Sequence, residues 1–295
     1  MASHLTPGMA RVLDRYSALE RWSPPLIRMT VVCLVLLLLA LIGSVVDDRT
    51  ILGAPAMLKP AKFGASGAVY LFTLAFMIGD LPQSRTLRVA ATLIAWIIVL
   101  ETVLIFVQAG RGVSSHFNVN TPLDIAIFSA MGMGIATVWI LSMLILILHL
   151  RTPTVDRAMG TALRIGLALN ILGAGVGWRM TQPSAEQIAS MSRSERPFTA
   201  GAHTVGGADG EVGMPITHWS LLHGDLRVPH FLGMHALQLL PLLLLGLRRV
   251  RPSRNDGAER ALVLVSAAIC VTVFGAALVQ ALNGHPLIPP SGTTL

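Results

Sequence analysis

The chain has 295 residues, of which 53% are hydrophobic and 13% are charged, and its mean hydropathy is +0.68. Soluble domains carry roughly 25% charged residues, so this composition excludes an ordinary soluble protein and predicts a membrane protein. The formal net charge of +7 does not indicate nucleic-acid binding, because the basic residues lie in short loops beside apolar segments and form no basic domain.

Seven apolar segments are long enough to cross a membrane. A hydrocarbon core about 30 Å thick requires about 20 helical residues. The apolar runs are continuous, whereas a β-barrel would show short alternating segments. The predicted fold is therefore an all-α integral membrane protein, in which residues 26–282 form one bundle of seven transmembrane helices. The predicted spans are 26–46, 63–79, 87–109, 123–148, 160–178, 229–247 and 261–282.

Three extramembrane segments complete the predicted organisation: an N-terminal tail over 1–25, a large loop over 179–228 and a C-terminal tail over 283–295. In the large loop, between the fifth and sixth spans, PSAEQIASM predicts a short helix and the glycine-rich HTVGGADGEVGMP predicts turns. Gly173 and Gly177 in the fifth span have the small-xxx-small spacing that allows two helices to approach closely.

The distribution of Lys and Arg predicts the orientation of the bundle. With the N-terminus in the cytoplasm, 14 of the 22 basic residues lie on the cytoplasmic side and 8 lie on the other side. Cytoplasmic loops usually carry this excess, and RRVRPSR at 248–254 is the densest basic cluster. We therefore expect a cytoplasmic N-terminus, an extracytoplasmic C-terminus and an outer position for the large loop.

The third predicted span carries Glu101 and runs into the polar stretch QAGRGVSSHFNVNTPLD at 108–124. A charged residue at membrane depth costs about 3 kcal/mol even on the mildest insertion scale, so Glu101 must be protonated, paired or hydrated. Glu101 and Gln108 lie within about 20° of each other around a helix. The stretch is therefore predicted to line the outer mouth of a polar pocket, in which Glu101 and Asp124 are the candidate catalytic residues.

The sixth predicted span begins within GDLRVPHFLGMHALQLLPL and carries two histidines. His230 and His235 lie about 140° apart around a helix, so a regular helix cannot direct both at one ion. His235 shares a face with Gln238, and we expect this face to point into the bundle at about the depth of Glu101. His230 is expected to face the loop or the lipid headgroups.

These outer positions supply the candidate ligands of the pocket. Imidazole nitrogens bind zinc and haem iron, so the candidate metal ligands are His116, His223, His230 and His235. Polar and basic side chains at the same membrane edge are the candidate ligand-binding residues: Lys59, Lys62, Gln108, Arg111, Ser115, Asn118, Arg227 and Gln238. The two lysines favour an anionic ligand or lipid headgroup, although snorkelling explains them equally well.

Three functions remain open from the sequence. The first is a metal-dependent membrane enzyme such as a hydrolase, with zinc and with Glu101 or Asp124 as general base. The second is an electron-transfer protein with non-covalent haem b, because the chain has no CxxCH motif. The third is a non-catalytic receptor, transporter subunit or assembly factor that binds a membrane lipid, a small molecule or a partner protein. The cofactor and the oligomeric state remain open.

The strings KPAKF, QAGRGVSSHFN, HTVGGADG and GDLRVPHFLGMHALQLLPL resemble those of a bacterial multi-pass inner-membrane family of unassigned activity. The resemblance covers most of residues 58–240 and implies the bacterial cytoplasmic membrane, but no catalytic residues. The span count is also similar to that of seven-helix hydrolases of the ceramidase and progestin-receptor type, in which histidines hold zinc. The chain offers Ser115, His116, Asp124 and His235, but its last span lacks the HxxxH pair of those proteins.

Overall fold

The structure is a computed structural model that describes residues 20–21, 23–79, 81–195, 198–251 and 255–289. Its helices are α1 (Pro24–Val46), α2 (Leu58–Gly79), α3 (Arg85–Gly110), α4 (Pro122–Arg151), α5 (Arg157–Met180), α6 (Ala185–Ser192), α7 (Arg227–Val250) and α8 (Asp256–Leu282). Two short antiparallel pairs consist of β1 (Thr50–Ile51) with β2 (Ala54–Pro55) and β3 (Thr204–Val205) with β4 (Gly224–Asp225).

Seven helices, namely α1 to α5, α7 and α8, are long and apolar enough to cross a membrane. This confirms the prediction of a multi-pass helical membrane protein with seven apolar spans. The second span begins earlier than predicted, because KPAKF forms the first turns of α2. Pro60 lies in the first helical turn, where its missing N–H costs no hydrogen bond. Most of the predicted N-terminal tail, the end of the C-terminal tail and the basic residues Arg11, Arg15, Arg196 and Arg254 lie outside the described residues.

The spanning helices pack as two groups of three that α4 connects. In the first group α1 packs on α2 and α3, and in the second group α5 packs on α7 and α8. Helix α4 contacts α3 on one side and α5 on the other, while α2 also contacts α7. The outer faces of α1 and α8 expose large apolar side chains such as Leu38 and Val265, as expected for surfaces in contact with lipid acyl chains.

Helices α5 and α7 approach so closely that their backbones touch at glycines. A Cβ atom on Gly173 would lie 2.7 Å from the Cα of Gly233, and one on Gly166 would lie 2.8 Å from the Cα of Leu237. Small residues at helix interfaces permit this distance. The prediction of close approach is therefore confirmed at Gly173. At Gly177 a Cβ atom would meet only the ring of His230, at 3.8 Å.

Consecutive spans alternate in direction, so the longer connections gather at one end of the bundle, here called the loop end. It comprises residues 47–57, 111–121, 181–226 and 283–289. Hydrogen bonds connect these segments: Arg49 donates to the carbonyl of Gly110 at 3.2 Å, and Lys62 donates to that of Thr217 at 2.9 Å. The opposite end, here called the short-connection end, joins α2 to α3, α4 to α5 and α7 to α8.

The local predictions for the large loop are also confirmed. The predicted short helix is α6, and Ser184 and Gln187 cap its start reciprocally, each side chain accepting the backbone N–H of the other residue. The glycine-rich stretch turns at Gly206 and Gly210, whose φ angles of 91° and 96° lie in the left-handed region. Glycine adopts this region without steric cost.

Candidate functional site

A buried carboxylate and a histidine face each other at the loop end. Glu101, on the inner side of α3, is only 3% exposed. The Nε2 of His116, in the connection between α3 and α4, lies 3.6 Å from the Oε1 of Glu101. Lys59, in the first turn of α2, is half-buried and lies within electrostatic range of the same carboxylate. The structure therefore brings together three residues that the sequence analysis placed on separate elements.

The connection between α3 and α4 fixes the orientation of the His116 ring. Its Nδ1 forms a hydrogen bond with the Ser115 hydroxyl at 3.0 Å, and the rings of Phe63, Phe117 and Phe128 surround it. Phe117 has a φ of 63°, a left-handed conformation that a bulky residue adopts only under strain. Its carbonyl accepts the N–H of Ala200 at 2.8 Å, so the large loop holds this strained turn in place.

His203 and His230 complete this part of the bundle, and both rings are fixed through Nδ1. The Nδ1 of His203 lies 2.8 Å from the Oδ2 of Asp209, and the Nδ1 of His230 donates to the carbonyl of Gly173 at 2.7 Å. The carbonyl of His203 also accepts the N–H of Leu226 at 2.9 Å, just before α7 begins. We call the five residues Lys59, Glu101, His116, His203 and His230 the His–Glu cluster.

Asp209 orients His203 and is saturated with hydrogen bonds. Its carboxylate accepts the backbone N–H groups of His203 and Thr204 and the hydroxyl of Thr204, in addition to the bond with the His203 ring. Burial alone would raise the pKa of Asp209, but these hydrogen bonds hold that pKa well below its ordinary value. Asp209 therefore remains ionised and fixes the ring of His203.

The surroundings of His116 and His203 favour the neutral form of each imidazole. Burial lowers the pKa of His116 well below its ordinary value, and the charge of Lys59 acts in the same direction. Burial also lowers the pKa of His203, although the hydrogen bond to Asp209 opposes this shift. A neutral imidazole has one donor and one acceptor nitrogen, so these rings can exchange hydrogen bonds with a ligand without carrying charge.

Two groups of the cluster have no hydrogen-bond partner among the residues that the structure describes. The Oε1 of Glu101 is buried and accepts no hydrogen bond within the described part of the chain. The ammonium of Lys59 makes no hydrogen bond to any described residue either. Most buried polar atoms in proteins are hydrogen-bonded, and an exception requires a physical explanation such as a missing ligand or water. The cluster therefore offers a hydrogen-bond acceptor on Glu101 and a hydrogen-bond donor on Lys59.

Asp124 belongs to a separate network that closes the connection between α3 and α4. It is 2% exposed and receives hydrogen bonds from Arg111 at 2.6 Å and from Gln108 at 3.1 Å. Arg111 also donates to the side-chain oxygen Oε1 of Gln108, and the Thr121 hydroxyl donates to Asp124 at 2.6 Å. Asp124 was predicted to be catalytic, and Gln108 and Arg111 to bind ligand. The structure uses all three to hold the start of α4 against the end of α3.

Other predicted ligand-binding residues also bind within the chain. Arg227 pairs with Asp225, which is buried, at 2.6 Å and also donates to the carbonyl of His218 at 2.5 Å. Lys62 holds the carbonyl of Thr217, as described above. Asn118 accepts the side-chain amide of Asn120 at 2.8 Å. These contacts stabilise the large loop.

The four predicted metal ligands are not brought together. His116 and His230 belong to the cluster, whereas His223 lies in the large loop, 3.1 Å from Glu211. The Nδ1 of His235 forms a hydrogen bond with the Oε1 of Gln238 at 3.1 Å, and its ring packs on the half-exposed ring of Phe231. Among the residues that the structure describes, no three His, Cys, Asp or Glu side chains form a group that could hold a metal ion. A metal centre is therefore unsupported.

The expected roles of the two histidines in α7 differ from the observed ones. His230 was expected to face the loop or the headgroups, but it bonds the carbonyl of Gly173 across the close α5–α7 contact. His235 and Gln238 share a face as expected, yet neither forms a hydrogen bond or ion pair with Glu101 in the described part of the chain. His203 was not among the predicted site residues. The sequence feature that could have indicated His203 is HTVGGADG. Its two adjacent glycines allow the chain to turn, so that the carboxylate of Asp209 reaches the ring of His203.

A comparison of the chain with family models, with curated proteins and with solved structures finds no match.

Proposed function

We propose that this protein is a multi-pass membrane protein that binds a small polar ligand in the His–Glu cluster. The observation that carries the proposal is the buried Oε1 of Glu101, which faces His116 and accepts no hydrogen bond from any described residue. Leaving a buried acceptor unpaired costs about 1–3 kcal/mol, and a donor on the ligand would remove this cost. Lys59 would bind an anionic or acceptor group of the same ligand. The ligand class is therefore a small molecule or lipid headgroup that carries both kinds of group.

We further propose that the loop end, with the cluster, faces the outside of the bacterial cytoplasmic membrane. The asymmetry of Lys and Arg supports this orientation, since the short-connection end carries the basic excess. A reporter enzyme that is active only outside the cytoplasm should be inactive when fused after Arg251 and active when fused after residue 289. The opposite pattern would place the cluster in the cytoplasm.

The ligand is tested by chemical analysis of the purified protein. Wild type and Glu101→Gln are purified from membranes in mild detergent, and small molecules released by denaturation are quantified by mass spectrometry. Glutamine keeps the size of the side chain but removes the charge. We expect the bound molecule to fall by roughly 10- to 100-fold, because hydrogen bonds to charged groups contribute about 1.5–3 kcal/mol.

Glu211→Gln is the matched control, because it makes the same chemical change at the loop end, outside the cluster. It should retain the wild-type content of ligand, and thermal unfolding in detergent should show that both variants are folded. Two results would contradict the proposal: wild type that carries no molecule in near-stoichiometric amount, or Glu101→Gln that carries as much as wild type.

A hydrolase without a metal is the second candidate function, and the contacts of His116 favour it. A nucleophile is activated when its hydroxyl contacts a base that a third group orients. The Ser115 hydroxyl contacts Nδ1 of His116, whose Nε2 faces Glu101. A fluorophosphonate would then label Ser115 in wild type and in Ser114→Ala, but not in Ser115→Ala.

A Soret band in the visible spectrum, or one metal per chain by elemental analysis, would instead favour the haem or metal candidates.

A further inference from the structure

A second candidate binding surface lies at the short-connection end, on the lipid-facing side of α3. A shallow groove of about 240 Å³ is lined there by Arg85, Arg88, Val89, Thr92 and Leu93. Residues three and four apart share a face of a helix. Arg85 and Arg88 therefore lie on the same face of α3 as Val89 and Leu93. The groove therefore joins a cationic end to an apolar floor.

The apolar floor continues along α3 towards the middle of the bundle. Val89 is 50% exposed, Leu93 is 45% exposed and Trp96, one turn further, is 59% exposed. These side chains follow the arginines along one face of a spanning helix. A soluble anion would contact only the arginines, whereas an acyl chain would cover the whole stripe.

The two arginines of the groove have no partner among the described residues, in contrast to other arginines at the same end. Arg248 pairs with Asp156 at 2.7 Å and with Glu259 at 2.6 Å. Arg164 donates to the carbonyl of Thr152 at 2.7 Å. The side chains of Arg85 and Arg88 make no hydrogen bond or ion pair with any described residue, and both residues are exposed. Their guanidinium groups are free to bind an external anion.

We propose that this groove binds an anionic phospholipid. The guanidinium groups of Arg85 and Arg88 would bind the phosphate, since guanidinium matches phosphate geometry with two parallel hydrogen bonds. One acyl chain would lie along Val89, Leu93 and Trp96. The position of the arginines at the edge of a spanning helix matches the level of a headgroup. This proposal is independent of the ligand proposed for the His–Glu cluster.

The test is a lipid titration of the full-length protein in detergent, followed by native mass spectrometry. Phosphatidylglycerol and phosphatidylcholine of identical acyl chains are compared for wild type and for the double variant Arg85→Gln/Arg88→Gln. We expect wild type to bind one phosphatidylglycerol at least tenfold more tightly than phosphatidylcholine. The double variant should lose roughly 30-fold in affinity for phosphatidylglycerol, at about 1 kcal/mol for each basic residue near a lipid surface.

The matched control is Arg151→Gln/Arg157→Gln, which removes the same charge at the same end, from α4 and α5. It should bind phosphatidylglycerol like wild type. An equal loss in both double variants would show general charge attraction and overturn the proposal. Equal binding of the two lipids by wild type would also overturn it. Competition by glycerol phosphate at the same concentration as the lipid would identify a site for soluble anions instead.

Discussion

Gly173→Ala is expected to separate α5 from α7 and to destabilise the protein by about 3 kcal/mol or more. The added methyl group would lie 2.5 Å from the backbone nitrogen of Met234 and 2.7 Å from the Cα of Gly233. Overpacking usually costs about 1–3 kcal/mol, and here the obstacle is backbone, which cannot rotate away as a side chain can. The two helices must therefore move apart along their contact.

The same substitution should also disturb the His–Glu cluster. The carbonyl of Gly173 fixes His230 at 2.7 Å, and the side chain of Asn170 bonds the carbonyl of Met234 at 2.8 Å across the same interface. If the helices move apart, both hydrogen bonds lengthen. We therefore expect folded Gly173→Ala protein to retain less of the ligand proposed above, in addition to its lower unfolding temperature in detergent.

Gly175→Ala is the control, since a Cβ atom there meets no atom within 4 Å. Alanine is favoured over glycine in a helix by about 1 kcal/mol, so this variant should be as stable as wild type or slightly more stable. Thermal unfolding and size-exclusion chromatography of both variants measure the difference. Equal stability of Gly173→Ala and Gly175→Ala would contradict the close contact of α5 and α7.

The elements that the sequence predicted correctly are those determined by nearby residues. An apolar run of about 20 residues is sufficient for a membrane span, so seven spans followed directly. The short helix predicted in PSAEQIASM is α6, whose start is capped by the nearby residues Ser184 and Gln187. Even the early start of α2 has a local cause, because Pro60 fits the first turn of a helix.

The partners of the polar residues could not be predicted in the same way, because each depends on which helices are neighbours. His230 and His235 are five residues apart, and only the packing of α5 against α7 determines that His230 is the one held by Gly173. Likewise, the meeting of Glu101 with Lys59 depends on α2 packing against α3. A single sequence does not specify these neighbours, since every spanning helix presents an apolar surface.

Glu101 and Asp124 show how the same residue type takes different roles. Both are carboxylates with less than 5% exposure near the loop end, and both were predicted to be catalytic. Asp124 lies at the start of α4, where the connection brings Thr121, Gln108 and Arg111 to its two oxygens. Glu101 lies inside α3, where backbone donors are used by the helix itself, and its Oε1 accepts no hydrogen bond within the described chain. We therefore expect Asp124 to stabilise the fold and Glu101 to bind the ligand proposed above.

Asp124→Ala is accordingly expected to destabilise the protein by about 3 kcal/mol while leaving ligand content per folded molecule unchanged. Breaking a buried ion pair by removing one partner costs about 3–5 kcal/mol, because the other charge is left uncompensated. The Arg111 side chain is 32% exposed, so water can solvate it in part and the lower end of this range applies. The hydrogen bond from the Thr121 hydroxyl to the Asp124 carboxylate is lost as well, whereas the backbone N–H of residue 124 still donates to Thr121.

The decisive measurement compares Asp124→Ala with Glu101→Gln in the same two assays, thermal unfolding and bound ligand per folded protein. Asp124→Ala should change the first and Glu101→Gln the second. Replacing both partners, in Asp124→Leu/Arg111→Met, should recover part of the lost stability, since no charge then remains unpaired. An Asp124→Ala protein with wild-type stability and no bound ligand would instead show that Asp124 binds the ligand. The assignment of Asp124 to a stabilising network separate from the His–Glu cluster would then be wrong.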